Sequence, residues 1–164
     1  MKRTMVIIFF ILSLSINPTT LKAQVSKFQA LYLLNFSRNL DWDTEAIQIA
    51  VIGSSKTFDE LSELTSKYPN VSVRKVRSTD PIHEFQMIFL PASQSKNFNL
   101  LQDKIGSSKI VLVVENEDLV SKGAEIGFSL EGNKLKFSMN RGSIYESAVI
   151  VNDKLFSLAS AVIN

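Results

Sequence analysis

The 164-residue chain contains no cysteine and a single histidine, His83. Without a thiol there is no disulfide, no thiolate nucleophile and no thiol-based redox switch. A two-histidine metal centre is excluded, and any histidine-based catalytic triad must run through His83. That residue follows the Asp80-Pro81 turn and precedes Glu84, a setting in which a solvated loop side chain is the ordinary expectation. Neither a Gly-x-Ser-x-Gly elbow nor a Gly-x-x-x-x-Gly-Lys phosphate loop is present. The residues therefore predict no catalytic centre, no metal site and no bound cofactor. Charge of one sign is scarce as well: 18 basic against 16 acidic side chains give a net charge of +2, too little for a dedicated nucleic-acid binder. The apolar run Val6 to Leu14 is less than half of the roughly 20 residues that a membrane-spanning helix needs.

That run is nevertheless informative. Lys2 and Arg3 precede it, a polar stretch with Pro18 follows, and then comes Leu21-Lys22-Ala23-Gln24. Basic start, short apolar middle and a cut near Ala23 form the pattern of a secretory signal peptide over residues 1–23. Its removal leaves 15 basic against 16 acidic side chains, a net charge of −1. The basic balance of the precursor thus belongs to the leader, and the expectation is a periplasmic domain over residues 24–164 that does not insert into the membrane.

Within residues 24–164 the apolar side chains Val25, Phe28, Leu31, Tyr32, Leu34 and Phe36 recur at helical spacing, which predicts a largely buried helix from Val25 towards Trp42. Ile47 to Ile52 reads as a strand ending at Gly53-Ser54-Ser55, followed by an amphipathic helix from about Thr57 to Lys67. Val71 to Val76 alternates as a half-buried strand, and Met87 to Leu90 is a third apolar run stopped by Pro91. Ser93 or Ser95 is positioned to cap a helix over about Lys96 to Ile105, with Gly106 as its stop. Ile110 to Val114 has the uncharged, β-branched character of a central strand, and Glu117 to Lys122 predicts a short helix closed by Gly123. Two alternating runs on either side of Glu131-Gly132-Asn133-Lys134 predict a β-hairpin, and Arg141 to Ile163 has room for one or two short helices. Strands alternating with helices give one α/β domain, a largely parallel sheet flanked by helices with a C-terminal antiparallel hairpin and terminal helices. No internal repeat, linker or low-complexity segment interrupts it.

Four clusters compete as functional residues. Gly53, Ser54 and Ser55, continuing into Lys56 and Thr57, lie between a strand and a helix, where backbone amides can cradle an anion; an ordinary serine-capped turn is the simpler explanation, and the residual interest is that α/β sheets bind ligands outside the carboxyl ends of their strands. Arg74, Lys75 and Arg77, and likewise Glu115, Glu117 and Asp118, read as solvated surface charge. The C-terminal segment carries Ile144, Val149, Val151, Leu155, Phe156 and Ile163, more apolar residues than one helical stripe requires, and these are the candidates for binding a partner protein. Their simpler use is to close the core. Phe28, Tyr32, Phe36, Trp42, Phe128 and Phe137 are assigned to the core.

The stretch Phe28 to Phe36, containing Tyr32-Leu33-Leu34-Asn35-Phe36 and followed by Trp42, resembles the opening signature of the YfiR-like family of exported bacterial proteins. Ile49-Ala50-Val51-Ile52-Gly53, then Ile126-Gly127-Phe128 leading to Gly132 and Leu135-x-Phe137, then Asn140 and Leu155-x-x-Leu158-Ala159, continue the resemblance in order. The family often has proline after the tryptophan, where this chain has Asp43, and some relatives carry redox-linked cysteines that this chain lacks. The resemblance implies a non-enzymatic periplasmic regulator that restrains a membrane-bound signalling protein, either a diguanylate cyclase with a periplasmic sensor domain or a sensor kinase. It also implies the possibility of a homodimer. The alternative reading is a periplasmic small-molecule-binding sensor using the Gly53 to Thr57 loop.

Overall fold

A computed structural model describes residues 18–164, so the Lys2-Arg3 pair and the apolar run Val6 to Leu14 lie outside the described residues. Helix α1, Pro18–Asn39, includes the expected cut near Ala23, and its buried face begins only at Gln29. That face is Gln29, Ala30, Leu33, Phe36, Ser37 and then Leu40, with Leu34 beside it. Phe28 corrects the sequence reading: it is 44% exposed, because the helix turns the 29/33/36 stripe inward and leaves Phe28 and Leu31 outward. Trp42 lies beyond the helix, its Nε1–H donating to the Ser37 carbonyl at 2.8 Å.

A two-residue strand β1, Leu40–Asp41, leads to β2, Ile47–Ile52, and helix α2, Lys56–Thr65. Ser55 caps α2 by accepting the Phe58 amide. Then follow β3 (Val71–Val76), β4 (Met87–Leu90), a 3-10 turn over Ala92–Asn97, helix α3 (Phe98–Ile105) and β5 (Val111–Val114). The cap expected from Ser93 or Ser95 is absent: the 3-10 turn runs directly into α3, and the residue before Phe98 is Asn97, whose side chain makes no capping bond. A second 3-10 turn, Glu117–Lys122, closes on Gly123, and β6 (Ile126–Glu131) and β7 (Lys134–Asn140) form the hairpin. The final segment holds α4 (Arg141–Glu146), β8 (Ile150–Val151), α5 (Asp153–Leu158) and β9 (Ala161–Ile163).

The seven-stranded sheet has the order β3-β2-β4-β5-β6-β7-β9. All its pairings are parallel except the β6–β7 hairpin, which lies one strand in from the β9 edge. A separate antiparallel ribbon pairs β1 with β8 and ties the C-terminal segment to the exit of α1. Alternate residues of the central strands feed two cores. Ile49, Val51, Met87, Phe89, Val111 and Val113 pack on the α1 side, whereas Ala50, Ile52, Ile88, Leu90, Leu112 and Val114 pack with Phe98, Leu101 and Ile105 of α3. Burial on both faces is why these strands read as continuous apolar runs. Phe36, Phe128 and Phe137 are buried with Tyr32 and Phe89 in one aromatic group, Phe36 and Phe137 meeting edge-on at 5.1 Å. The protein is thus a single α/β domain with a mostly parallel sheet flanked by helices.

Candidate functional site

The chain leaves β2 to form β3 on one side and returns to form β4 on the other, so the strand order reverses between β2 and β4. In such sheets the loops at the carboxyl ends of the two strands diverge and open a crevice, the usual ligand position of the architecture. Here the crevice is a cleft of about 610 Å³. Ser54, Ser55 and Thr57 form one wall, Pro91 and Ser93 another, and Glu115, Val25 and Leu130 close it. The Gly53 to Ser55 segment singled out from the sequence therefore lies at this cleft. Gly53 has φ +72°, and a Cβ there would come within 3.0 Å of Gln94 Nε2 from the facing loop. Both facts favour a residue with no side chain.

A chain of side-chain hydrogen bonds runs along the cleft floor. Thr57 Oγ1 donates to Gln29 Oε1 at 2.7 Å, Gln29 Nε2 donates to Glu115 Oε1 at 3.1 Å, and the Ala92 amide donates to Glu115 Oε2 at 2.7 Å. Gln29 and Thr57 are buried, and four elements meet through them: α1, α2 and the segments that follow β4 and β5. Sequence reasoning treated Glu115 as surface charge and overlooked Gln29. The available signal was a glutamine on the apolar face of a helix.

A second pocket, about 260 Å³, lies at the opposite ends of the strands between α3 and α4. Glu125 projects into it, and its Oε2 accepts the Leu112 amide at 2.8 Å. Burial, with Glu146 of α4 contributing like charge, raises the Glu125 carboxyl to a pKa of about 8. The Leu112 hydrogen bond opposes this without overcoming it.

The C-terminal candidates divide by depth. Ile144, Val149 and Phe156 are buried in the core on the α1 side, and Val151 and Leu155 are partly buried against it. The Arg141 guanidinium stacks 4.6 Å over the Phe156 ring. The side chains that this segment presents to solvent are others: Tyr145, Ile150 and Leu158, each more than 60% exposed, with Ile163 at 36%. Between α1 and α5 a groove of about 310 Å³ is lined by apolar Tyr32, Phe36, Phe137, Leu155 and Leu158 and by polar Asn35, Asn39, Asn152 and Lys154.

The remaining sequence candidates are dispersed. His83 is exposed on the turn before β4. Arg74 and Lys75 lie on the edge strand β3, Arg74 paired with Glu84 and Lys75 over the Phe58 ring. Among the described residues no three His, Cys, Asp or Glu side chains gather where a metal could be held, and no helix is long and apolar enough to cross a membrane.

Comparison with known proteins gives two positive results. No curated protein matches the chain. Among solved structures it is similar to the ABC domain in complex with L-Trp from Streptococcus pneumonia, at 14% identity and a TM-score of 0.60, covering 84% of this chain and 60% of that one. The chain thus spans less than two thirds of that structure, and a likeness at this identity is one of fold. A family model described as YfiR/HmsC-like matches residues 26–160, from within α1 to the residue before β9, and on that match the chain belongs to the YfiR/HmsC-like family.

Proposed function

We propose that this protein is an exported, non-catalytic regulator that binds the periplasmic domain of a membrane-bound signalling protein and restrains it. The observation that carries this reading is the family match over residues 26–160, since the YfiR-like family is a regulatory one. The signal-peptide pattern in residues 1–23 and the lack, in the sequence, of any cysteine or Gly-x-Ser-x-Gly elbow support it. A diguanylate cyclase is the partner the family favours, and a sensor kinase is the other class with the required topology. Without chemistry of its own, such a domain acts by binding one conformation of its partner more tightly than another. Moving the partner from 99:1 to 1:99 takes about 5.5 kcal/mol of differential binding. A few well-seated apolar side chains supply that much at a typical interface. Tyr145, Ile150 and Leu158, each exposed on the C-terminal segment, are the proposed contacts.

The test is affinity recovery of the tagged protein, expressed with its own leader in its native host and crosslinked before the membranes are solubilised. Enrichment of one membrane cyclase or kinase, with a rise in that enzyme's output when the regulator is deleted, is the expected result. Recovery of the protein alone, with output unchanged on deletion, overturns the reading. A second reading, a small-molecule sensor, is favoured by one specific observation, the cleft at the strand-order reversal with its buried polar floor.

A further inference from the structure

We infer that the cleft between the carboxyl ends of β2 and β4 is an effector site for small amines: molecules with an ammonium group, held on Glu115, and a compact apolar body. The inference rests on the sensor reading and specifies its ligand.

The argument begins with Glu115. Both carboxylate oxygens are fixed by uncharged donors, Gln29 Nε2 on Oε1 and the Ala92 amide on Oε2. The ion pairs among the described residues join Arg74 to Glu84, Arg77 to Asp80, Lys109 to Asp43 and Lys136 to Glu131, and none includes Glu115. A partly buried carboxylate that is oriented by two hydrogen bonds, has no cationic neighbour in an ion pair and forms a cleft wall is prepared to receive a positive charge. Each of its oxygens still has lone-pair capacity for one. Charge-assisted N–H···O bonds to a carboxylate are roughly twice as strong as neutral ones, which gives the site a reason to select an ammonium group over a hydroxyl.

Gln29 adds a structural reason. Burying an amide at the start of a helix face that packs on the core is costly unless its partners are satisfied. A leucine there would suit the core. The glutamine instead spans Thr57 and Glu115 and holds the carboxylate at the cleft wall. Around it the lining is apolar where a ligand body would sit: Val25, Pro91 and Leu130, with Leu130 51% exposed at the open side. Ser54 and Ser93 also line the cleft. The volume of about 610 Å³ lies within the range of small-ligand sites, typically about 300–1,000 Å³. Lys56 also lines the cleft, its exposed ammonium group in no ion pair with Glu115, and it disfavours a second positive charge on the ligand, which argues for monoamines over polyamines.

The experiment uses the mature protein, residues 24–164, and three probes of one shape and different charge: cyclohexylmethylamine, cyclohexylmethanol and cyclohexanecarboxylate. Binding is followed by titration calorimetry and by amide NMR shifts at Ser54, Ser93, Glu115 and Leu130. The expected result is saturable binding of the amine that is at least tenfold tighter than that of the alcohol, with no binding of the carboxylate. Glu115→Gln should weaken the amine at least tenfold while leaving the alcohol unchanged. Ser107→Ala, on the turn after α3 and away from the cleft, serves as the control and should change neither. Equal binding of amine and alcohol, or amine binding that Glu115→Gln does not reduce, overturns the amine assignment. If the carboxylate alone binds and shifts the same amides, the ligand class is wrong and the sensor reading survives. If no probe binds and a wider metabolite screen leaves the melting temperature unchanged, both fall together.

Discussion

Thr57 Oγ1 donates to Gln29 Oε1 at 2.7 Å, joining the first turn of α2 to the middle of α1 through two buried polar side chains. This contact connects the cleft to the helix that covers the sheet. Gln29→Met keeps the shape of the side chain and removes both of its hydrogen bonds, leaving the Thr57 hydroxyl buried without that acceptor. The expected loss is about 1–3 kcal/mol, read from urea denaturation midpoints at constant m. Adding Thr57→Val removes the orphaned donor and should return much of that stability, because replacing both partners by apolar groups is close to neutral. A double variant no more stable than Gln29→Met would show that the contact carries no such coupling.

Glu125 makes stability depend on pH. Its carboxyl titrates near 8 in the folded protein against 4.5 for an ordinary glutamate, so between those values the native state holds a proton that the unfolded chain has released. Stability from this group is therefore fully present below about pH 4.5, declines as pH rises towards 8, and is constant above it. Glu125→Gln keeps an acceptor for the Leu112 amide and cannot ionise. Relative to wild type, the variant should be about equal at pH 4.5 and more stable at pH 8.5, by an amount on the order of a few kcal/mol. Denaturant melts across that range check it, and a wild-type-minus-variant difference that does not vary with pH would refute it.

The sheet was legible in the sequence where its strands are long or buried on both faces, and illegible where pairing alone creates them. Ile47–Ile52, interrupted only by Gln48, and Met87–Leu90 and Val111–Val114 are apolar runs because each packs against two cores. The two residues of β8 and three of β9 have no periodicity to read. They are strands because β1 and β7 offer partners, at Leu40↔Val151 and Met139↔Val162. Phe28 was misplaced for a related reason: helical spacing fixes which residues share a face, but only packing decides which face turns inward. The cleft was half visible. Its serine loop has a local signature, whereas Glu115 joins Gln29 across 86 positions of sequence, a separation that no local pattern reports.

Gly127 is a packing requirement of β6 beneath the second 3-10 turn. A Cβ at this position would stand 2.2 Å from Val120 Cγ2 and 3.3 Å from the Glu117 backbone. Val120 is fully buried and β-branched, so it has no free rotamer to retreat into. Gly127→Ala should cost about 1–3 kcal/mol through overpacking. For a domain of this size that corresponds to a fall in melting temperature of about 2–12 °C. An unchanged melting temperature would mean that the turn moves freely away from the strand.

The C-terminal segment offers a separation of partner binding from folding, because its apolar residues divide by depth. Ile150 and Leu158 are 62% and 64% exposed, and Ile150 stands opposite Asp41 in the β1–β8 ribbon, so Ile150→Lys and Leu158→Asp should leave stability within about 0.5 kcal/mol. If this surface binds the membrane protein, each change places a charge in an apolar contact and should abolish its crosslinked recovery. Phe156 is 8% exposed and lies beneath the Arg141 guanidinium. Phe156→Ala should therefore destabilise by about 3–5 kcal/mol, lowering recovery only in proportion to the folded protein that remains. Thermal melts of the purified variants, set beside recovery normalised to folded protein, separate the two effects. Normal recovery by both charged variants would move the interface away from this segment's exposed side chains and from the groove between α1 and α5, which Leu158 also lines.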